Sequence, residues 1–278
     1  MKTFKRFGEV IVFLGVVLWS LNAPLVKAIQ VDSFLVCGVR SAIASVTLLP
    51  FLRVKKLNWN RWMALYLISF SGLSITIIFS LSMTDSAIAI GMQYTALVWL
   101  ILLDVIRGIS ITRKRLFSVA LILTGIVIFM TSGFSPESRL GNLIALSEGV
   151  FFAGMTLSSR KAAGDNPLGL TAIANAVTGI IVFAFLPAPL SNLGMLSAKD
   201  WVILVILGVF QIGGGHALYN MGLQYVTPKR ASIIALGEMI LGPLWVALFL
   251  SQYPSLVVIV GLAIILIGML LDIWWGED

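Results

Sequence analysis

Apolar runs long enough to cross a lipid bilayer alternate along this chain with short clusters of charged and turn-forming residues. A spanning helix needs about 20 mainly apolar residues, and ten runs meet that length when the chain is cut at its polar clusters. They are residues 9–28, 33–52, 62–82, 87–106, 116–133, 141–160, 168–188, 201–223, 230–250 and 255–275. The pattern predicts an all-α membrane protein with ten transmembrane helices.

The first run follows a basic start, as the apolar part of a secretory signal peptide does. It extends over about 18 apolar residues, however, and it lacks a small-residue cleavage pattern at its end. We therefore predict that it stays in the protein as the first transmembrane helix.

The composition excludes several classes of function. Of the 278 residues, 59% are hydrophobic and 11% are charged, which is far from the norm of soluble domains. The single cysteine, Cys37, excludes an internal disulfide, and the sequence has no nucleotide-binding loop, metal-ligand spacing or hydrolase motif. We therefore expect no cofactor, no metal site and no enzymatic activity. The net charge of +7 lies in short clusters between apolar runs, which argues against nucleic acid as a partner.

The basic residues mark alternate connections. Fifteen of the nineteen lysines and arginines lie before the first run or in the connections that follow even-numbered runs. The remaining connections hold only Arg139 and Lys199. By the positive-inside rule both termini are predicted to be cytoplasmic, which suits a multi-pass protein of the cytoplasmic (inner) membrane.

The two halves of the chain resemble each other. Gly8 and Asp32 of the first half match Gly141 and Asp165 of the second half at the same spacing. The predicted repeats are residues 1–134 and residues 135–278. Because each repeat holds an odd number of helices, five, the second repeat must lie inverted in the membrane. Inverted repeats are typical of secondary transporters, in which two half-structures rock around a site near the midplane and give alternating access.

Several motifs follow one another in a recognisable order: Leu18–Pro24 with Lys27 in the first helix, Arg40 in the second, and Ala231–Glu238 with Gly242–Trp245 in the ninth. In this order the chain resembles the drug/metabolite transporter superfamily, specifically its ten-helix branch with two EamA domains. The resemblance covers nearly the whole chain and implies export or uptake of a small metabolite, often an amino acid, by alternating access.

One departure from the family concerns the ends of the fourth and ninth helices. Relatives commonly close these helices with a Gly-Glu pair, whereas this chain has Arg107-Gly108 and Ser251-Gln252. A gating or coupling role of those glutamates is therefore not implied for this chain.

Two glutamates lie deep inside apolar runs. Glu238 is about nine residues into the ninth helix, roughly 13 Å from its cytoplasmic end. An acidic residue at a helix centre costs about 2.5–3.5 kcal/mol, so it must face protein or a wet cavity. Glu148 lies near Phe151 and Phe152, which suits an amine or quaternary ammonium group. Each glutamate could instead be structural, Glu148 through a pair with Arg40, and a shared cavity would make one of them a candidate proton carrier.

Two cations also lie within or beside the runs. Arg40 is in the middle of the second helix, too deep to reach the membrane surface, and should face a carboxylate of the protein or of a solute. Lys27 at the outer end of the first helix is expected to snorkel to the interface.

The eighth helix carries the only histidine, His216, which shares one helix face with Tyr219 and Asn220. The preceding glycines, Gly213–Gly215, favour either a local unwinding that frees carbonyl groups or close helix packing. Both alternatives remain open from the sequence.

Four further residues are predicted to line the same cavity, or alternatively to pack in the core. They are Trp19, Asn22, Tyr94 and Trp245. Tyr94 stands at the repeat position that corresponds to Glu238, which strengthens its assignment.

The mixed set of charges favours a zwitterionic solute resembling an amino acid, with its carboxylate toward Arg40 or His216 and its ammonium group toward a glutamate. The expected protein is a secondary transporter, most simply a monomeric exporter, with the proton as a conceivable coupling ion. The alternatives are a carrier of organic cations, a flippase for a lipid-linked intermediate and, with less support, a channel.

Overall fold

The structure is a computed structural model that describes residues 2–131, 136–226 and 228–275. All regular secondary structure within these ranges is helical, and ten helices are long and apolar enough to cross a membrane. The predicted end of the fifth helix at residue 133 and the predicted junction of the repeats at residues 134 and 135 lie outside the described residues.

The ten predicted transmembrane helices are confirmed. They are α1 (Phe7–Ala28), α2 (Ser33–Phe51), α3 (Arg61–Met83), α4 (Ser86–Ile106), α5 (Arg113–Thr131), α6 (Pro136–Ala163), α7 (Pro167–Phe185), α8 (Ala198–Gly222), α9 (Ile233–Leu250) and α10 (Leu256–Trp275). The largest boundary shift is the start of α6, at Pro136 rather than residue 141. Pro136 and Glu137 suit a first helical turn, although they are too polar to count as membrane sequence.

Three of the helices are interrupted in mid-span. The segments are Lys2–Ser20 and Asn22–Ala28 along α1, Ser86–Gln93 and Ala96–Ile106 along α4, and Pro228–Ala235 and Gly237–Leu250 along α9. In α1 the cause is Pro24, which has no N–H to donate to Ser20 one turn earlier. Interrupted backbone at membrane depth is tolerated where it is buried in protein or lines a cavity.

The main packing pairs are α3 with α6, α5 with α10, α2 with α7 and α1 with α8, while α4 contacts both α6 and α9. Each helix of the first half corresponds to the helix five places later in the second half. When corresponding helices are exchanged, the contacting pairs α2–α7, α4–α9 and α5–α10 remain the same pairs. The same exchange converts α3–α6 into α1–α8. The packing pattern is therefore compatible with a two-fold relation between the halves.

The α5–α10 pair illustrates why small residues are needed at these contacts. A Cβ atom at Gly125 would lie 2.9 Å from Gly261 O and 2.5 Å from Cγ1 of Ile265. Lipid acyl chains are as apolar as the side chains, so the hydrophobic effect does not drive helices together within the bilayer. Helix association there depends on such close packing instead.

The connections that follow even-numbered helices meet on one face of the bundle, which we call the basic face. Asn58 Nδ2 donates to Lys161 O at 3.2 Å, and the backbone N–H of Asp165 donates to Lys56 O at 3.2 Å. The α2–α3 connection is thereby joined to the α6–α7 connection.

On the opposite face, hydrogen bonds join the ends of α1, α3, α5 and α6. Lys27 Nζ donates to Thr84 O at 3.0 Å, so Lys27 is held within the protein rather than being directed only to the interface as expected. Thr84 Oγ1 lies 2.5 Å from Asn142 Oδ1, and Asn142 Nδ2 donates to Phe129 O at 3.0 Å.

Candidate functional site

The interrupted helices surround a narrow cavity of about 40 Å³, here called the inner pocket. At roughly 10–15 Å³ per water, it has room for about three water molecules. Its polar lining consists of Asn22, Arg40, Ser74, Gln93, Gln211, His216 and Glu238. The polar residues come from α1, α2, α3, α4, α8 and α9, so the pocket lies at the meeting point of both halves of the chain.

Arg40 occupies one side of the inner pocket and is 1% exposed. Its Nη1 donates to Asn22 Oδ1 at 2.9 Å and to Gln211 Oε1 at 3.2 Å, and its Nη2 donates to a backbone carbonyl, Ser74 O, at 3.1 Å. Its Nε has no hydrogen-bond partner among the described residues. The expected carboxylate partner within the protein, Glu148 in particular, is not found among the described residues, so this buried cation is solvated by neutral dipoles alone.

Glu238 lies on the other side and is 7% exposed. Gln93 Nε2 donates to Oε2 at 2.7 Å, and the Tyr94 hydroxyl, which has a single hydrogen, lies 2.8 Å from Oε2 and 2.6 Å from Ala235 O. Oε1 has no described protein donor, which leaves it available to a solute. The structure thus joins Glu238 to Tyr94, its predicted counterpart in the other repeat.

Trp19 and Phe70 pack against His216, with ring centroids 4.6 and 5.0 Å from that of the imidazole. Trp19 Nε1 donates to His216 Nδ1 at 2.9 Å, while Ile212 O lies 3.1 Å from the same nitrogen. An indole N–H can only donate and a carbonyl oxygen can only accept, so these two contacts demand opposite roles of Nδ1; the shorter one, from Trp19, favours a neutral histidine with its proton on Nε2. His216 can still offer that N–H to a carboxylate. The Trp19 ring also lies 4.5 Å from the Tyr219 ring, centroid to centroid.

Glu148 does not line the inner pocket. It is completely buried in α6, and its Oε1 lies 2.5 Å from the Ser80 hydroxyl oxygen. The expected shared cavity of the two glutamates is therefore not formed in this state. Phe152, one turn further along α6, does reach the pocket.

Asn220 and Trp245 contribute mainly to helix packing. Asn220 accepts from Ser159 at 3.1 Å and donates to Thr171 at 3.2 Å, which links α8 to α6 and α7. Trp245 Nε1 donates to Ser20 Oγ at 2.9 Å, which joins α9 to the interruption in α1.

The glycine segment of α8 packs closely against α1, as one of the two sequence expectations held, because a Cβ atom on Gly215 would lie 2.5 Å from Cδ1 of Trp19. The backbone is neither unwound nor regular α-helix, because Ile206–Gly214 forms a π-helix. Such wide turns are frequent at functional sites. Here the wide segment includes Gln211, which faces Arg40, and it runs into Gly215 of the next helical segment.

A much larger cavity of about 700 Å³, the vestibule, opens on the basic face. Arg113, Lys114 and Arg115 lie at its outer end, and Tyr94, Phe152 and Tyr219 lie at its inner end. Phe152 also borders the inner pocket, so both cavities contact this residue. At the rim, Arg115 forms ion pairs with Asp104 at 3.2 Å and with Asp272 at 3.3 Å.

Sequence reasoning missed three polar residues that complete the inner pocket. Gln93 and Gln211 hold the two charged side chains, and Ser74 supplies a carbonyl to Arg40. A glutamine inside an apolar run is a weak signal because it carries no charge, and a backbone acceptor leaves no trace in the side-chain pattern.

Ten spanning helices around a pocket that holds a buried arginine and a buried glutamate define a multi-pass membrane transporter. The chain belongs to the EamA-like transporter family, which matches residues 6–131 and 139–273. The resemblance found in the sequence is thus confirmed. The chain is 26% identical over 273 residues to an uncharacterized transporter of Archaeoglobus fulgidus, covering 98% of this chain and 97% of the relative. A solved crystal structure with 17% identity shares the fold, with a TM-score of 0.66 and 99% of each chain covered.

Proposed function

We propose that this protein is a secondary transporter of a small amino-acid-like zwitterion. The observation that carries the proposal is Arg40, a buried cation that shares a pocket with Glu238 but pairs with no described carboxylate. An arginine at this depth is costly unless an anion completes its coordination. The carboxylate of a solute is suited to do so, because guanidinium and carboxylate groups match in planar, bidentate geometry.

Glu238 supplies the complementary interaction. Its Oε2 is held by Gln93 and Tyr94, while Oε1 remains for the ammonium group of the solute. The pocket thus offers one positive and one negative group with uncharged polar residues between them. A cation carrier is less well supported, because Arg40 lines the same pocket and would repel a solute that carries only positive charge.

The cavities support transport by alternating access. The vestibule opens on the basic face, whereas Lys27, Thr84 and Asn142 join the helix ends on the opposite face. If the basic face is cytoplasmic, as the positive-inside rule indicates, the protein loads its solute from the cytoplasm in this state. This arrangement supports an exporter of the cytoplasmic (inner) membrane.

Two observations support the division into inverted repeats. The family matches the chain twice, in segments that fall within residues 1–134 and 135–278. The helix contacts are also compatible with exchange of the two halves. Opening of the opposite face would then mirror the present opening of the basic face.

The proposal is tested by thermal unfolding of the purified protein in detergent with amino acids, amines and carboxylates. A solute present at 100 times its dissociation constant adds about 2.7 kcal/mol of stability, a shift of several degrees. We expect amino acids to stabilise the wild type, and Arg40→Lys and Glu238→Gln to lose the shift. Glu137→Gln, the same chemical change on an exposed first turn of α6, is the matched control. Stabilisation by amines alone would contradict the proposal.

A further inference from the structure

Glu148 is a buried acid that the proposed binding site does not use. It is 0% exposed, and the one protein group within hydrogen-bonding distance of its carboxyl among the described residues is the Ser80 hydroxyl. Its Oε2 has no partner there. Glu238 differs, because Gln93 donates to its Oε2 and the Tyr94 hydroxyl lies within hydrogen-bonding distance of the same oxygen.

Counting hydrogens at Ser80 indicates the protonation state of Glu148. Ser80 Oγ lies 2.5 Å from Glu148 Oε1 and 3.1 Å from Ile77 O, but a hydroxyl carries a single hydrogen. Ile77 O can only accept. Both contacts are satisfied together when the carboxylic acid donates to Ser80 Oγ and the Ser80 hydroxyl donates to Ile77 O. The geometry therefore suits a neutral, protonated Glu148.

The charges around Glu148 agree with this assignment. Among the described residues, Glu238 of α9 is the group whose negative charge acts on it unfavourably, and no cation pairs with it. The adjacent Gly149 faces uncharged Thr95 and Trp99 of α4. Oε2 has no donor in either protonation state, and burial without a donor is far more unfavourable for a carboxylate than for the carbonyl oxygen of a neutral acid.

The interruption in α4 connects the two acids. Gln93 before it and Tyr94 within it contact Glu238, whereas Thr95, also within it, lies where a Cβ atom on Gly149 would need to be. Tyr94 also packs against Phe152, one turn from Glu148 on α6, with ring centroids 5.6 Å apart. A movement of this interruption would therefore alter the surroundings of both acids together.

We propose that Glu148 is the coupling site of the transporter, which carries one proton in exchange for the solute and is separate from the solute site at Glu238. This inference rests on the proposed function for its transport cycle. The proton is held as the O–H of the carboxylic acid that donates to Ser80. On release it passes to water and leaves a carboxylate, which regains a proton from the other side of the membrane before the acid is buried again.

The protonation state is tested without any solute. Infrared spectra of the purified protein are recorded over a pH series, and the carbonyl band of a protonated carboxyl group is followed. We expect a band at neutral pH that Glu148→Gln removes and that Glu137→Gln retains. Ser80→Ala should shift the pH at which the band disappears. A band that Glu148→Gln leaves unchanged, or the absence of a band in the wild type, would overturn the proposal.

Coupling is tested in proteoliposomes with a radiolabelled mixture of the common amino acids. We expect Glu148→Gln to abolish accumulation driven by a pH gradient while exchange between equal pools continues at the wild-type rate. Glu238→Gln should lose both. Gradient-driven accumulation by Glu148→Gln at the wild-type level would refute the coupling role. If the wild type transports no amino acid, the zwitterion proposal fails, whereas the infrared series still decides whether Glu148 holds a proton.

Discussion

Replacing Tyr94 by phenylalanine tests the hydrogen-bonded junction between α4 and α9. The lost hydroxyl lies 2.6 Å from Ala235 O and 2.8 Å from Glu238 Oε2, while the ring can keep its edge contact with Phe152. A hydrogen bond to a charged group contributes about 1.5–3 kcal/mol and one between neutral groups about 0.5–1.5 kcal/mol. We therefore expect Tyr94→Phe to cost about 1.5–3 kcal/mol in the wild type but about 0.5–1.5 kcal/mol in a Glu238→Gln background.

The assay is a double-mutant cycle on the free energy of unfolding in detergent, measured without added solute. The difference between the two backgrounds isolates the interaction of the hydroxyl with the charge of Glu238. Tyr253→Phe is the matched control, because Tyr253 is 76% exposed in the α9–α10 connection and its hydroxyl loss should change nothing. An equal cost of Tyr94→Phe in both backgrounds would refute the assignment of Glu238 as a charged acceptor.

Three further substitutions probe other parts of the structure. Trp19→Phe removes the donor that fixes the His216 tautomer, and nitrogen NMR of labelled histidine should change from the pure Nε2–H form to a mixture; an unchanged spectrum would contradict the tautomer argument. Burial raises the pKa of Asp85, so the folded state favours the neutral acid and wild-type stability falls as pH rises through that pKa. Asp85→Asn can still cap α4, and its unfolding temperature should exceed that of the wild type at neutral pH, with the difference vanishing in acid. A difference that grows in acid would contradict the raised pKa of Asp85. Gly125→Ala should cost about 1–3 kcal/mol because the new methyl group overlaps the backbone of α10, and a neutral result would show that the α5–α10 contact is adaptable.

The sequence was sufficient to predict the ten spans because hydrophobic length and charged connections are local properties. It did not predict the interruption at Leu236, since leucine favours a continuous helix and the break arises from the packing around it. The interruption at Leu21 has a local cause in Pro24, but proline is tolerated in transmembrane helices, so its presence alone does not predict a break. The π-helical form of α8 was also missed. Glycines loosen a helix, but the choice between unwinding and a wide turn depends on neighbours far along the chain.

The candidate site was predictable in part. Arg40 and Glu238 were identified because charges inside apolar runs are costly, and that cost is visible in the sequence. Their meeting in one pocket depends on tertiary packing, as does the exclusion of Glu148 from it. Asn220 and Trp245 share the helix faces expected of site residues, yet their hydrogen bonds go to neighbouring helices. Residue type and periodicity indicate which face of a helix is polar, but they do not distinguish a residue that binds solute from one that only packs against a neighbouring helix.

The central claim is that one pocket recognises both charged ends of an amino acid. The most direct measurement is equilibrium binding of the best-bound amino acid to the wild-type protein, compared with its carboxamide and its N-acetyl derivative. We expect both derivatives to bind far more weakly, because the carboxamide cannot pair with Arg40 and the N-acetyl group cannot pair with Glu238. Binding of either derivative as tightly as the amino acid itself would contradict the account.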